Sequence, residues 1–316
     1  MRPIQTSLCC LFLLAVCSSP AADIQTHLFD PVDVKRKRTV PVKVYLSESK
    51  GERPVVLFSH GLGGSRDNNA YLGNHWAKSG YVCVFMQHTG SDSSVWKKAE
   101  RANRLTALKN AAGLQATLNR LNDVKFVIDQ LEKWADSKGH PLAGNMDLRH
   151  IGMCGHSYGA VTTLGVMGRK YSFNRSFGDP RIDAFMPMSP QPGKRPSPEK
   201  SFGHIKAPVL CMTGTKDGSP IDPRLKPDTR QQVYAAMPKG DKYQLVFEGG
   251  EHFAFGDSGG FRTRGRNPKH HPAIQEISTR FWNAYLKGDL AAKKWLQSAA
   301  PRKACDLHSK DVWEWK

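Results

Sequence analysis

The stretch Ile151-Gly152-Met153-Cys154-Gly155-His156-Ser157-Tyr158-Gly159-Ala160-Val161-Thr162-Thr163-Leu164 decides the fold. Its first four residues are short and apolar, like a buried strand, and Ala160 to Met167 is apolar enough to pack as a helix against a sheet. Between them stands a G-x-S-x-G pentapeptide, Gly155 to Gly159. A strand, this pentapeptide and a helix put the serine on a sharp turn with its hydroxyl exposed above the sheet. The two glycines belong there because a tight turn brings backbone segments too close for side chains. The bare string is common in proteins, so the rest of the chain has to test it.

Upstream, Ile24 to Phe29 and Val40 to Leu46 read as two strands joined by a basic turn at residues 35–38. Val40, Val42, Val44 and Leu46 alternate with their neighbours, as in a half-exposed strand at an antiparallel edge. Val55-Val56-Leu57-Phe58 is continuously apolar, the mark of a strand buried on both faces. A helix over Tyr71 to Ser79 and a strand over Tyr81 to Met86 follow, and strand–helix–strand order implies parallel crossovers. Residues 89–118 read either as a small cap or as a long connection. From Asn119, Leu121, Val124, Ile128 and Leu131 recur at helical spacing.

Downstream, Asp183 to Met188 and Pro208 to Met212 read as strands, and Tyr243 to Phe247 as the last one. A helix is expected over Asp228 to Ala236, and the final helix near Pro272, with Ile274, Ile277, Phe281 and Tyr285 along one face. With no internal repeat and no interdomain linker, residues 22–316 form one domain.

A serine hydroxyl is a weak nucleophile unless a base takes its proton, and that base works best when a carboxylate orients it. On sheets of this kind the three groups come in the order serine, acid, histidine, each at the carboxyl end of a strand. Ser157 follows one strand, Asp217 a later one, and His252 the last. Asp217 also sits in Lys216-Asp217-Gly218, good turn chemistry, and Asp222 is a rival acid nearby. Asp183 enters its strand at the wrong end, and that strand's exit carries Ser189. His156 should project away from the serine. Oxyanion donors are expected from the backbone N–H groups of Tyr158 and of Leu62, in the glycine-rich run His60-Gly61-Leu62-Gly63-Gly64. That run lacks the lysine and spacing of a P-loop.

The chain has 316 residues, 39% hydrophobic and 23% charged, ordinary values for a globular protein that force no disordered, fibrous or membrane reading. Arg2, the apolar run Leu8 to Cys17 and the small residues Ser18 to Ala22 have the layout of a secretory signal peptide cleaved after Ala21. The expected location is therefore secreted or periplasmic, without a stable membrane anchor. Cys83, Cys154 and Cys211 sit in apolar runs as small buried hydrophobes. No cysteine or histidine spacing suggests a zinc site, and neither these cysteines nor Cys305 imply a disulfide framework. The net charge of +18 is read mainly as a solvated basic surface, because no nucleic-acid-binding motif is present. Arg262, Arg264 and Arg266, beyond His252, suggest a preference for acidic substrates.

From about residue 24 to 298 the chain resembles the α/β-hydrolase superfamily. Phe58 to Gly63 and Gly155 to Gly159 look like the platelet-activating-factor acetylhydrolase and chlorophyllase-type group. Thr213 to Asp217, Gly249 to Phe253 and Phe281 to Leu286 resemble exported bacterial dienelactone-hydrolase-like proteins. The resemblance implies an α/β-hydrolase fold: a mostly parallel central sheet flanked by helices, with an antiparallel N-terminal edge. It also implies hydrolysis of a small or lipid-like ester, with no cofactor and no metal. Two departures accompany it. Dienelactone hydrolases carry cysteine where this chain has Ser157, and mammalian acetylhydrolases place the acid near the position of Ser189. Peptide or polyester cleavage by the same groups, and a non-catalytic binding module, are the alternatives.

Overall fold

Val55-Val56-Leu57-Phe58 lies at the heart of the sheet in the computed structural model, which describes residues 23–257 and 267–316. The strands are β1 (Ile24–Phe29), β2 (Val32–Asp33), β3 (Arg38–Thr39), β4 (Val42–Ser47), β5 (Arg53–Ser59) and β6 (Val82–Met86). They continue as β7 (Met146–His156), β8 (Ala184–Met188), β9 (Val209–Lys216), β10 (Lys242–Glu251) and β11 (Val312–Trp315). Nine of them form one sheet in the order β1-β4-β6-β5-β7-β8-β9-β10-β11, while β2 and β3 make a separate small ribbon. The run from β6 to β10 is parallel. The β1/β4, β4/β6 and β10/β11 pairs are antiparallel.

Successive side chains of a strand face opposite sides, so a continuous apolar run feeds two cores at once. Val55 and Leu57 enter one core, and Val56 and Phe58 the other. Val82, Val84 and Met86 divide from Cys83 and Phe85 in the same way. Helices α1 (Ala70–Lys78) and α8 (His270–Leu286) cover the second face through Leu72, Trp76, Ile274, Ile277, Phe281 and Trp282. The first face is covered by α4 (Leu114–Asp136) and α5 (Tyr158–Val166), with Leu121, Val124, Ile128, Leu131 and Leu164. The remaining helices are α2 (Ser94–Lys97), α3 (Arg104–Asn110), α6 (Pro198–Phe202), α7 (Gln232–Ala235), α9 (Leu290–Leu296) and α10 (Ala300–Ala304).

Several expectations need correction. Strand β4 is not half-exposed: Tyr45 is buried as fully as Val44, because α1 lies over it, and a Cβ at Gly73 would meet the Tyr45 ring at 2.6 Å. Helix α4 begins at Leu114 rather than Asn119. Leu114 and Leu118 carry the helical spacing of Leu121 back into its first turn, although Leu114 itself is exposed, and Thr117 Oγ1 donates to the Gly113 carbonyl (3.2 Å) and Gln115 to Asn119 (3.1 Å). The stretch expected as one helix over Asp228 to Ala236 is a 3-10 turn, Pro227–Gln231, running into α7. Strand β10 is not the last, nor α8 the final helix. The tail adds α9, α10 and β11, and β11 pairs Tyr243 with Trp315 and Leu245 with Trp313. Four residues are too few to show a period, and it is the open edge of β10 that makes them a strand.

Residues 89–118 form α2, a 3-10 turn at Arg101–Asn103, α3 and the start of α4. Cys83, Cys154, Cys211 and Cys305 are unpaired. Among the described residues no helix is long and apolar enough to cross a membrane. The signal-like segment 1–21 and the arginines at 262, 264 and 266 lie outside the described residues.

Candidate active site

Strand β7 ends at His156, α5 begins at Tyr158, and Ser157 alone makes the turn, with φ 59 and ψ −112. A non-glycine residue in that region costs on the order of 1–3 kcal/mol. The surroundings hold it there: Ser157 N–H donates to the Met188 carbonyl at 3.0 Å. A Cβ at Gly155 would stand 2.4 Å from the Gly159 carbonyl oxygen, and one at Gly159 would stand 1.8 Å from the Ser59 carbonyl oxygen. Both glycines are thus dictated by backbone approaching backbone, within the turn and between the turn and the end of β5.

Asp217 follows β9, and His252 opens a 3-10 turn (His252–Phe255) directly after β10. The parallel strands deliver all three residues to the same edge of the sheet. His252 Nε2 lies 2.9 Å from Ser157 Oγ, and His252 Nδ1 lies 2.7 Å from Asp217 Oδ1. Thr213 Oγ1 donates to the other oxygen, Asp217 Oδ2, at 2.8 Å. Asp217 is fully buried. Burial works to raise its carboxyl, but the His252 hydrogen bond and the His252 and Arg230 charges outweigh burial and hold it below the usual carboxylate range.

The rival acid is elsewhere. Asp222 pairs with its exposed neighbour Arg224 at 2.8 Å, whose hydrogen bonds bring the carboxyl down to about 2. Asp183 accepts the Ile151 N–H at 2.9 Å, at the opposite end of the sheet from Ser157. At the exit of β8, Ser189 contributes a backbone carbonyl, which accepts from Arg230 at 2.7 Å.

Sequence reasoning missed Arg230 and undervalued His156. Arg230, in the 3-10 turn before α7, is fully buried. Its Nε lies 3.0 Å from Asp217 Oδ1 and donates to the Asp217 carbonyl at 2.5 Å. Its Nη2 is also 3.2 Å from His252 Nδ1. When that nitrogen donates to Asp217 it cannot accept from Arg230, so the two contacts are alternatives. Nothing in the polar run Asp228-Thr229-Arg230-Gln231 marks its arginine as the buried one. His156 does not reach the serine. It packs on the His252 ring (centroids 4.9 Å) and its Nε2 lies 2.9 Å from the His252 carbonyl. Burial and the charge of His252 push it down to about 3, so it stays neutral and donates that bond.

Leu62 and Tyr158 border the same cleft as Ser157 and His252. The Tyr158 N–H opens a helix, where no intrahelical acceptor is available. The loop carrying Leu62 is braced from behind. Arg120, buried, donates to the His60 carbonyl at 2.7 Å and to Ser91 Oγ at 2.8 Å, and its guanidinium lies 4.3 Å from the Tyr158 ring centroid. His60 Nε2 accepts the His88 N–H at 3.0 Å. Ser59 Oγ, His88 and Asp123 form a second serine–histidine–aspartate chain, with 2.8 Å and 3.0 Å links, but all three are fully buried. Asp123 also takes Arg36 and Arg38, each at 2.8 Å, so half of the basic turn at residues 35–38 is structural rather than solvated surface. The cleft encloses about 560 Å³, and Leu105 and Leu108 from the 89–118 segment form part of its wall. Among the described residues no group of three or more His, Cys, Asp or Glu could hold a metal ion.

Residues 32–113 match the family model of platelet-activating factor acetylhydrolase, isoform II. That segment includes the His60 to Gly64 loop and ends before the pentapeptide. A ferulic acid esterase from Streptomyces cinnamoneus has a similar structure, with a TM-score of 0.62 and 19% identity over 86% of this chain and 93% of that one. No curated protein sequence matches significantly. At that identity the structural likeness speaks for the fold alone, and the family match is confined to the segment that carries the end of β5. The chain has the α/β-hydrolase fold, and its residues 32–113 are similar to platelet-activating factor acetylhydrolase, isoform II.

Proposed function

We propose that the protein cleaves carboxylic esters through an acyl-enzyme formed on Ser157. His252 Nε2 takes the proton as Ser157 Oγ attacks the ester carbonyl, then returns it to the departing alcohol oxygen. Asp217 holds Nδ1–H, fixes the tautomer and stabilises the imidazolium. The Leu62 and Tyr158 N–H groups receive the oxyanion. Water, deprotonated by the same imidazole, then attacks the acyl carbonyl and Ser157 leaves with the proton. Supporting this reading is the unbroken chain Oγ–Nε2, Nδ1–Oδ1, at 2.9 and 2.7 Å, opening on a cleft. The sequence of residues 1–21 supports export, as a secreted or periplasmic enzyme.

Ser157→Ala should lower kcat on a p-nitrophenyl butyrate substrate by roughly 10⁴-fold or more and abolish labelling by a fluorophosphonate probe. Turnover within a few-fold of the wild type would remove Ser157 from the mechanism.

A further inference from the structure

Four arginines are buried among the described residues: Arg53, Arg120, Arg169 and Arg230. Three have hydrogen-bonded guanidinium forks, although Arg53 Nε is itself without a partner. The Arg53 fork bonds Ser47, Ser49 and Asn145. Arg120 bonds Ser91 and the His60 carbonyl, and Arg230 bonds Asp217 and the Ser189 carbonyl.

Arg169 differs from all three. It is 6% exposed, its Nε is buried without a partner, and among the described residues neither a hydrogen bond nor an ion pair reaches any nitrogen of its guanidinium. The segments outside the described residues contain no Asp or Glu, so no side-chain carboxylate of this chain supplies the missing partner. What surrounds the guanidinium is aromatic: the Tyr171 ring at 4.9 Å and the Phe202 ring at 5.7 Å. Such contacts offset only part of the cost of removing the cation from water. Burial accordingly pushes the guanidinium below its ordinary range. The backbone is also shaped to admit it: at Gly193 (φ 80) a Cβ would fall 1.9 Å from Arg169 Nη2. Arg169 and Gly193 border the same cleft as Ser157 and His252. A planar fork of donors, packed near two aromatic rings and lacking an anion, suits bidentate binding of a carboxylate.

We propose that Arg169 binds a carboxylate carried by the substrate, so that the preferred esters are acidic, with the charge several bonds from the scissile carbonyl. This deepens the ester-hydrolase reading and rests on it. The separation follows from α5, whose nine residues stand between Ser157 and the turn bearing Arg169 and rise about 13 Å. The carboxylate belongs to either the acyl or the alcohol part, and the substrates below distinguish the two.

The measurement is the ratio of kcat/KM for an anionic ester to that for a neutral ester of equal length. One arm uses mono-p-nitrophenyl esters of glutaric to suberic acid against the matching alkanoates, and the other a carboxylated nitrophenyl butyrate against its uncharged parent. In one arm the wild-type ratio should exceed unity by about tenfold or more at an optimal length, the size of one charge-assisted hydrogen bond. Arg169→Met should remove that preference, and Arg169→Lys, which keeps the charge without the fork, should retain part of it. A ratio within twofold of wild type in Arg169→Met, or no preference in either arm, overturns the proposal. Should Arg169→Met fail to fold, Arg169→Lys decides alone: an undiminished ratio overturns the proposal. A second readout needs no turnover. Adipate should raise the Tm of Ser157→Ala protein but not of Ser157→Ala/Arg169→Met. Failure of all ester turnover with that Tm shift intact would sink the hydrolase reading and leave the carboxylate site standing.

Discussion

The Asp217 carboxylate divides its two oxygens between Thr213 on one side and His252 with Arg230 on the other. Orienting an imidazole needs only the first pair of contacts. Arg230 neutralises the carboxylate and ties the turn after β9 to the carbonyl at the exit of β8. Two consequences follow for Asp217→Asn. The wrong tautomer of His252 is favoured, so kcat should fall by about 10⁴. A buried guanidinium is also left without its counter-charge, which should cost roughly 3–5 kcal/mol of stability. Asp222→Asn, beside the exposed Arg224, should leave kcat near wild type and stability within about 0.5 kcal/mol. Steady-state kinetics and thermal unfolding of the two variants check both statements, and loss of activity in Asp222→Asn alone would reverse the assignment. Ser157, Asp217 and His252 were legible because each stands at a strand exit. Arg230 and Arg169 were not, since nothing in one dimension distinguishes a buried arginine from a solvated one.

Elements reach this edge of the sheet through close backbone contacts rather than long side chains. Gly159 is the clearest case, with its α-carbon against the Ser59 carbonyl where α5 crosses the end of β5. Gly159→Ala should push α5 away from the sheet, with a loss of more than about 4 kcal/mol, in the range of severe core lesions. A denaturant midpoint for Gly159→Ala close to wild type would show that the crossing tolerates a methyl group. Beneath the Leu62 loop, the buried Ser59–His88–Asp123 chain repeats the serine–histidine–aspartate arrangement without access to substrate. Strands β5 to β9 were readable as apolar runs, and α8 from its apolar face. The first turn of α4 and strand β11 were not, because Leu114 opens one on an exposed face after Gly113 and the other depends on a neighbouring edge.

On the scale of the whole molecule, a chain of net charge +18 ties some of its arginines to buried carboxylates, Arg36 and Arg38 to Asp123 and Arg181 to Asp179. It also buries neutral histidines. Burial with the Arg120 charge brings His88 to about 4, and burial with the His252 charge brings His156 to about 3. In the unfolded chain both take up protons near 6.5. Between those limits the unfolded state binds more protons, so stability is full above pH 6.5 and is lost as pH falls toward 4 and below. Asp123 and Asp217, both held below 3.8, add a further loss as pH drops through that value. The Tm should therefore decline from pH 7 to pH 4, and His156→Gln should flatten the decline between pH 6.5 and 4. An equally steep decline in His156→Gln would show that His156 contributes nothing to it.

The sequence by itself determined the layered fold and the chain order of serine, acid and histidine, because strand exits, helical periods and glycine-bounded turns are local patterns. Only the tertiary structure decided which charges are buried and what faces them. Arg230 on Asp217, Arg120 behind the Leu62 loop and Arg169 in the cleft wall acquire their environments from segments far away in the chain, and desolvation is a property of position in space.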